Sequence, residues 1–207
     1  MFKKVTPLIG IAGMDEVGKD TVANIILKLT NKSELSFVYP YEMVKHVNFL
    51  SEWEIKPFSE RVKLATAIIL GISKEEVFSR EFKTNKYTSR NLTGRQIFIE
   101  VAHNFGRKVL GEDIWVKNRF NNYNIHKDKW IIPDVRYKNE VEAIKAFGGI
   151  VIQVKRPGIK NQSAFLDDNT LFDYTINNSK TLNDLEKLVL NILIKEGILK
   201  PDFKLKH

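Results

Sequence analysis

Gly13-Met14-Asp15-Glu16-Val17-Gly18-Lys19-Asp20-Thr21, the stretch GMDEVGKDT, departs by one letter from the pattern of a nucleotide phosphate loop. That pattern runs Gly, four residues, Gly, Lys and then Ser or Thr, whose hydroxyl meets Mg²⁺. Here Asp20 stands in the hydroxyl's place. The letters alone do not decide the matter, because a phosphate cradle is made by backbone N–H groups converging at a helix N-terminus, where the helix dipole also favours anions. What decides it is whether a strand precedes the loop and a helix follows.

Both flanks carry the required pattern. Leu8 to Ala12, LIGIA, is a short apolar run ending at a glycine, which reads as a buried strand. Beyond the loop, Val22, Ile25, Ile26 and Leu29 fall at i, i+3, i+4 and i+7 on one helical face. The alternative reading, a plain turn with an acidic helix start, explains the aspartates but not this order of strand, loop and amphipathic helix.

The rest of the chain continues the alternation. Strands are expected at Leu35–Tyr39, Trp130–Pro133, Ile150–Val154 and Tyr174–Ile176, with helical patterns between and after them. The fold class is therefore α/β with a parallel sheet. Thr93-Gly94-Arg95-Gln96 and Thr181-Leu182-Asn183-Asp184 read as capping boxes that start helices, and Gly148-Gly149 closes a helix that begins near Tyr137. Ser79–Thr93, SREFKTNKYTSRNLT, is polar and basic without clear periodicity and reads as a mobile excursion. The organisation expected is one domain over residues 1–207.

With 207 residues, 43% of them hydrophobic, the chain can build one substantial core. It has no cysteine, which excludes disulfides, thiolate metal sites and cysteine nucleophiles and suits a cytoplasmic setting. No apolar run reaches the ~20 residues that cross a bilayer, so neither a membrane nor a secretory route is expected. There are 33 basic and 25 acidic residues, a net charge of +8, which favours a polyanionic partner, whether nucleic acid or nucleotide phosphates.

Within the loop, Gly13 and Gly18 permit the tight backbone around Val17, Lys19 is expected to reach the β- and γ-phosphates of ATP, and Thr21 the α-phosphate. The Asp20 carboxylate remains an oxygen ligand suited to Mg²⁺. Asp15 and Glu16 oppose anion binding and are expected to point outward. Trp130 to Arg136, WIIPDVR, is an apolar strand ending in Asp and then Arg, like a Walker B segment. At the carboxyl end of a parallel strand, Asp134 would lie near Mg²⁺ and Arg136 near an anionic substrate, although an ordinary strand end with a helix cap has the same letters.

Arg95 places a cation at a helix start, where a bound monophosphate would reconcile it with the dipole; a solvated arginine paired with an acid is the other reading. Trp115 could stack on a base or fill the core. Lys45, soon after the strand SFVYP, would sit at the mouth of the sheet or on the surface. His46, His103, His126 and His207 show no metal-ligand spacing or triad context.

Taken together, the sequence resembles the deoxynucleoside monophosphate kinase family of bacteriophages. The resemblance rests on GKDT at Gly18–Thr21, TGRQ at Thr93–Gln96, DIWVK at Asp113–Lys117, PDVRYKNEVEAIKAFGG at Pro133–Gly149 and KRPG at Lys155–Gly158, in the family's order. It implies a P-loop kinase-like three-layer fold, a five-stranded parallel sheet of order 2-3-1-4-5, an acceptor-binding excursion over about 40–120 and a lid over about 155–172. It implies ATP and Mg²⁺ as cofactors and a deoxynucleoside 5′-monophosphate as acceptor.

Carried over by motif, Lys19, Asp134 and Arg136 serve the reacting phosphates. Lys45, Arg95, Gln96, Trp115 and Arg136 serve the acceptor, and Arg156 and Asn177 the ATP side. Asp20 and Asp134 would face the metal. Where the family commonly has Gly-Thr-Glu, this chain has His103-Asn104-Phe105-Gly106-Arg107. No stable nucleic-acid complex is expected, a homodimer is left open, and a phage-encoded protein of this kind would work in the host cytoplasm. Two competing readings stand: a kinase of another small acceptor, such as dephospho-coenzyme A or phosphomevalonate, and a nucleic-acid-binding ATP switch suggested by the basic stretch Arg80–Arg95.

Overall fold

The computed structural model describes residues 8–31, 53–88, 90–160 and 164–203. The strand expected at Leu35–Tyr39 and the candidate Lys45 lie outside the described residues. Two compact units are formed, one from the chain up to Lys56 and from Asn124 onward, the other from Pro57–Tyr123.

The first unit is the α/β unit. Its five strands are β1 (Leu8–Ala12), β2 (Trp53–Ile55), β3 (Lys129–Val135), β4 (Ile150–Lys155) and β5 (Tyr174–Asn177), all parallel in the order β2-β3-β1-β4-β5. That is the expected sheet, and it is the sheet of a P-loop kinase fold. The LIGIA run forms β1 at the centre, with all five residues buried because strands lie on both edges and helices on both faces. Ile9 pairs in register with Ile131 on one side and Ile150 on the other. Trp53–Ile55 was not legible as a strand: three residues with a central glutamate give no periodicity.

Alternation along the strands divides the two faces. Ile9 and Ile11 of β1, Ile131 of β3, and Ile152 and Val154 of β4 pack with Val22, Ile25 and Ile26 of α1 (Lys19–Thr30). The same core takes in Leu185, Val189 and Leu193 of α8 (Leu182–Lys195). Gly10, pointing the opposite way, lies against Ile144 of α7 (Lys138–Ala146). The result is a three-layer α/β/α arrangement with β1 in the middle, so the loop after β1 opens where the strand order changes direction. Ligands of open α/β sheets collect at such a point.

The second unit is helical. It contains α2 (Phe58–Leu70), α3 (Lys74–Phe78), α4 (Arg80–Thr84), α5 (Gly94–Ile99), a π-helical stretch over Glu100–Leu110, and α6 (Ile114–Phe120). Val62, Val77, Phe82, Ile97, Val101 and Trp115 form its core. The sequence reading of Ser79–Thr93 as an irregular excursion is corrected over its first part. The Ser79 hydroxyl accepts from the Phe82 N–H at 3.0 Å and caps α4. Phe82 is fully buried, with its ring centroid 4.5 Å from that of Tyr87 and 5.3 Å from that of Phe98. One buried aromatic and one cap hold a helix too short to show a period.

Both capping boxes are present. Thr93 and Gln96 cap α5 reciprocally, and Thr181 and Asp184 do the same for α8. At the end of α7, Gly148 takes φ +74° and donates to Lys145 O, while Gly149 donates to Ile144 O, closing the helix where the glycine pair is. Among the described residues, no helix is long and apolar enough to cross a membrane.

Candidate functional site

The loop between β1 and α1 alternates in handedness. Glu16 has φ +66° and Gly18 φ +101°, the left-handed region that turns successive amides toward one concave side. For Glu16, a residue with a Cβ, this is strain of the kind kept at ligand-binding loops. Space is as restrictive as torsion. A Cβ on Gly18 would meet Asn178 Nδ2 at 2.5 Å, and one on Gly13 would meet the Val154 carbonyl oxygen at 2.6 Å.

Three side chains tie the loop's carbonyls back to the protein. Lys19 Nζ donates to Met14 O at 2.5 Å, Asn178 Nδ2 to Val17 O at 2.9 Å, and Arg156 Nη1 to Glu16 O at 3.4 Å. With these carbonyls engaged, the loop leads into the N-terminus of α1, where an anion gains from both N–H groups and the dipole. The buried Val17, 2% exposed, anchors the turn in the core under α1.

Lys19 is the first residue of α1 and only 9% exposed. Burial lowers its pKa below the ordinary lysine value and the nearby Arg136 guanidinium adds to this, while Asp15, Asp20 and Asp134 pull it back up. The same five charged groups are thereby brought near one another: Asp15 from the loop, Lys19 and Asp20 from the first turn of α1, Asp134 from β3 and Arg136 just beyond it. Asp20 is exposed and Asp134 half-buried.

Arg136 is positioned through its backbone. Its N–H donates to Glu140 Oε2 at 2.7 Å, and the Tyr137 N–H donates to the same oxygen at 3.2 Å. Glu140, 3% exposed, thus fixes the turn from β3 into α7. Sequence reading missed this role; the signal was a glutamate at the third position of α7, behind the helix start. It also expected Asp15 to point outward. Asp15 is exposed, as expected, and its carboxylate also lies 2.7 Å from Arg136 Nη2 and 4.0 Å from Lys19 Nζ.

Next to the loop, Asn177, Asn178, Ser179, Lys180, Thr181 and Leu185 line a groove of about 340 Å³ between the end of β5 and the start of α8. Asn178 joins the two features, because its backbone N–H donates to Lys155 O at 2.7 Å while its amide holds Val17 O. The segment after β4 carries two short 3₁₀ turns, Ala164–Leu166 and Asn169–Leu171. Buried Gln153 donates to Leu166 O at 2.5 Å and fastens this segment to β4.

In the helical unit, Arg95 and Gln96 occupy the exposed first turn of α5. The Gln96 side-chain oxygen accepts from the Thr93 N–H at 2.8 Å, so part of its hydrogen-bonding capacity serves the cap. Trp115 is 7% exposed, lies against Gly106 of the π-helical stretch, and donates its indole N–H to Ala102 O at 2.9 Å. Of the two readings of Trp115, this geometry belongs to core packing. Arg107, in the same stretch, is buried and donates to Glu112 O at 2.7 Å.

The residues present suit a nucleoside triphosphate, since Lys19 and Arg136 stand together beside the loop that leads into the N-terminus of α1. They also suit Mg²⁺, which takes one or two carboxylates plus phosphate oxygens rather than an all-protein cage. Among the described residues there is no group of three or more His, Cys, Asp or Glu that could hold a metal ion.

No family model matches the chain. Over 101 residues it is 31% identical to the deoxynucleotide monophosphate kinase of Enterobacteria phage T4, an alignment covering 45% of this chain and 40% of that protein. Over 197 residues it is 24% identical to a protein of Acanthamoeba polyphaga mimivirus described as "Putative deoxynucleotide monophosphate kinase", covering 89% of this chain and 94% of the relative. The chain thus spans about two fifths of the phage relative and nearly all of the mimivirus one. The sheet order and the loop accord with this similarity to the phage T4 deoxynucleotide monophosphate kinase and to the mimivirus protein with its putative description.

Proposed function

We propose that the protein transfers the γ-phosphoryl group of ATP to the phosphate of a deoxynucleoside 5′-monophosphate, giving the diphosphate and ADP. The observation that carries this reading is the loop itself: its carbonyls tied back by Lys19, Asn178 and Arg156, and Lys19 and Arg136 gathered beside it. Similarity to the phage T4 deoxynucleotide monophosphate kinase and to the mimivirus protein supports the choice of acceptor.

In this reading the chain does little covalent chemistry and much positioning. The loop amides and Lys19 hold the donor phosphates, and Lys19 moves from Met14 O to phosphate oxygen as the triphosphate binds. Arg136 steadies the charge on the transferring group, and its turn is kept rigid by Glu140. Asn177 and the groove beside it take the ATP base, while Arg95 and Gln96 on α5 are the acceptor-side residues. Trp115 is left out of that set because its ring and N–H are both used inside the helical core. Asp20 and Asp134 would hold Mg²⁺, which when bound neutralises phosphate charge. Arg156, at the start of the segment after β4, would follow that segment if it closes over the phosphates and excludes water.

The test is ADP release with ATP and Mg²⁺, offering each deoxynucleoside monophosphate, its ribose counterpart and dephospho-coenzyme A separately. Turnover above the no-acceptor rate with at least one deoxynucleotide is expected. Turnover with dephospho-coenzyme A alone would assign another acceptor class. Silence with every small acceptor, together with stimulation by DNA, would overturn the kinase reading in favour of a nucleic-acid-driven ATPase.

A further inference from the structure

Asp15 is an acid inside a loop built for anions, and the ion pairs explain what it does there. Its carboxylate lies 2.7 Å from Arg136 Nη2 and 4.0 Å from Lys19 Nζ. These are the two cations on which a phosphate arriving at the loop depends. The backbone fixes the conflict, since Asp15 sits between Met14, whose carbonyl accepts from Lys19, and Glu16, whose carbonyl accepts from Arg156. The carboxylate, half exposed to solvent, thus lies on the cationic side of the loop. On the opposite side of the exchange, Glu140 keeps the Arg136 backbone in place, so the guanidinium remains within reach of both Asp15 and the loop.

We propose that Asp15 is an internal anion that competes with phosphate for Arg136 and Lys19, and so lowers the loop's affinity for bare phosphates. This rests on the phosphate-loop reading above. Binding any phosphate here exchanges one ion pair for another and also brings a second negative charge close to the carboxylate, so the net electrostatic gain is small. A nucleotide offsets the loss with base and ribose contacts. Inorganic phosphate, pyrophosphate and tripolyphosphate have none, and at ordinary concentrations they fail to hold the loop. The penalty applies to every phosphate, so the device acts on occupancy by small anions and on product release rather than on the ratio of affinities.

Both partners are about half exposed, 48% for Asp15 and 56% for Arg136, so the effect is moderate. Asp15→Asn, which keeps shape and removes charge, should bind pyrophosphate and tripolyphosphate about threefold to tenfold more tightly than the wild type, by calorimetric titration in the absence of acceptor. The gain should shrink when Arg136→Gln is combined with it, because the competition acts largely through that guanidinium. Asp15→Ser, with the same prediction, guards against a folding defect peculiar to one variant, and a thermal unfolding curve for each checks the fold.

Equal or weaker pyrophosphate binding by both Asp15 variants would overturn the proposal, since the carboxylate would then be orienting Arg136 for phosphate rather than competing with it. Wild-type protein that binds ATP while the variants gain nothing breaks this inference alone. Wild-type protein that binds neither ATP nor tripolyphosphate would take the phosphate-loop reading down with it.

Discussion

Lys19 illustrates how much of the site is a matter of single atoms. A buried ammonium costs desolvation and the neighbouring Arg136 guanidinium adds to that cost, which is why its pKa stays below the ordinary value despite three nearby carboxylates. A triphosphate would supply the missing charge. Gly18 is equally constrained: at φ +101° with Asn178 2.5 Å from any added Cβ, Gly18→Ala is expected to cost about 1–3 kcal/mol and to abolish ATP binding, measured by denaturation and calorimetry. Asn178→Ala removes one loop tie without strain and should weaken ATP binding about fivefold, the equivalent of about 1 kcal/mol for one hydrogen bond. The motif letters made Gly13, Gly18 and Lys19 legible, because the loop is contiguous in sequence. The Asp15–Arg136 pair spans 121 residues and could not be read from local pattern.

At the scale of elements, the sequence was most informative where an element announces its own ends. Thr93, Thr181 and the glycine pair Gly148-Gly149 each mark a boundary through a hydrogen bond that residue type dictates. Elements held by tertiary contacts were not legible: α4 depends on buried Phe82, and β2 on its pairing with β3. The π-helical stretch leaves no sequence signal either, though Gly106 within it makes room for Trp115. Gly94→Ala tests the contact between α4 and α5. Its Cβ would lie 2.0 Å from Phe82 O and 2.5 Å from the Phe82 ring, so the helical unit should lose about 1–3 kcal/mol, read by urea denaturation.

A second test at this scale concerns β5 and α8. The Tyr174 hydroxyl donates to Glu196, and burial followed by that carboxylate pushes its pKa up to about 12 from the usual 10.0. A phenol whose folded pKa is raised contributes stability that is fully present below the unfolded value and is lost as pH climbs from about 10 to about 12. Tyr174→Phe should therefore cost about 1 kcal/mol at neutral pH, and the gap from wild type should narrow only above pH 10. A gap that closes near pH 7 would contradict the assignment.

The whole molecule combines a sheet in which the apolar runs foretold every strand but β2 with a helical unit whose interior they did not. Alternating apolar runs and amphipathic faces make a parallel sheet the economical solution, and the order β2-β3-β1-β4-β5 then leaves the loop after β1 at the point where strand order reverses. The net charge of +8 belongs to this scale as well, because it steers polyanions without choosing among them. Added DNA is expected to leave ADP release unchanged at physiological salt, whereas a steep salt-sensitive stimulation would indicate a polymer partner.

The central claim is that Lys19 and its loop deliver a phosphoryl group to a nucleotide, and a single-turnover transfer of label from γ-labelled ATP tests it most directly. Wild-type protein should place label on a deoxynucleoside diphosphate, and Lys19→Ala, folded as judged by its unfolding curve, should place none above background. Label that never reaches a nucleotide acceptor, or transfer by Lys19→Ala at the wild-type rate, would contradict the account.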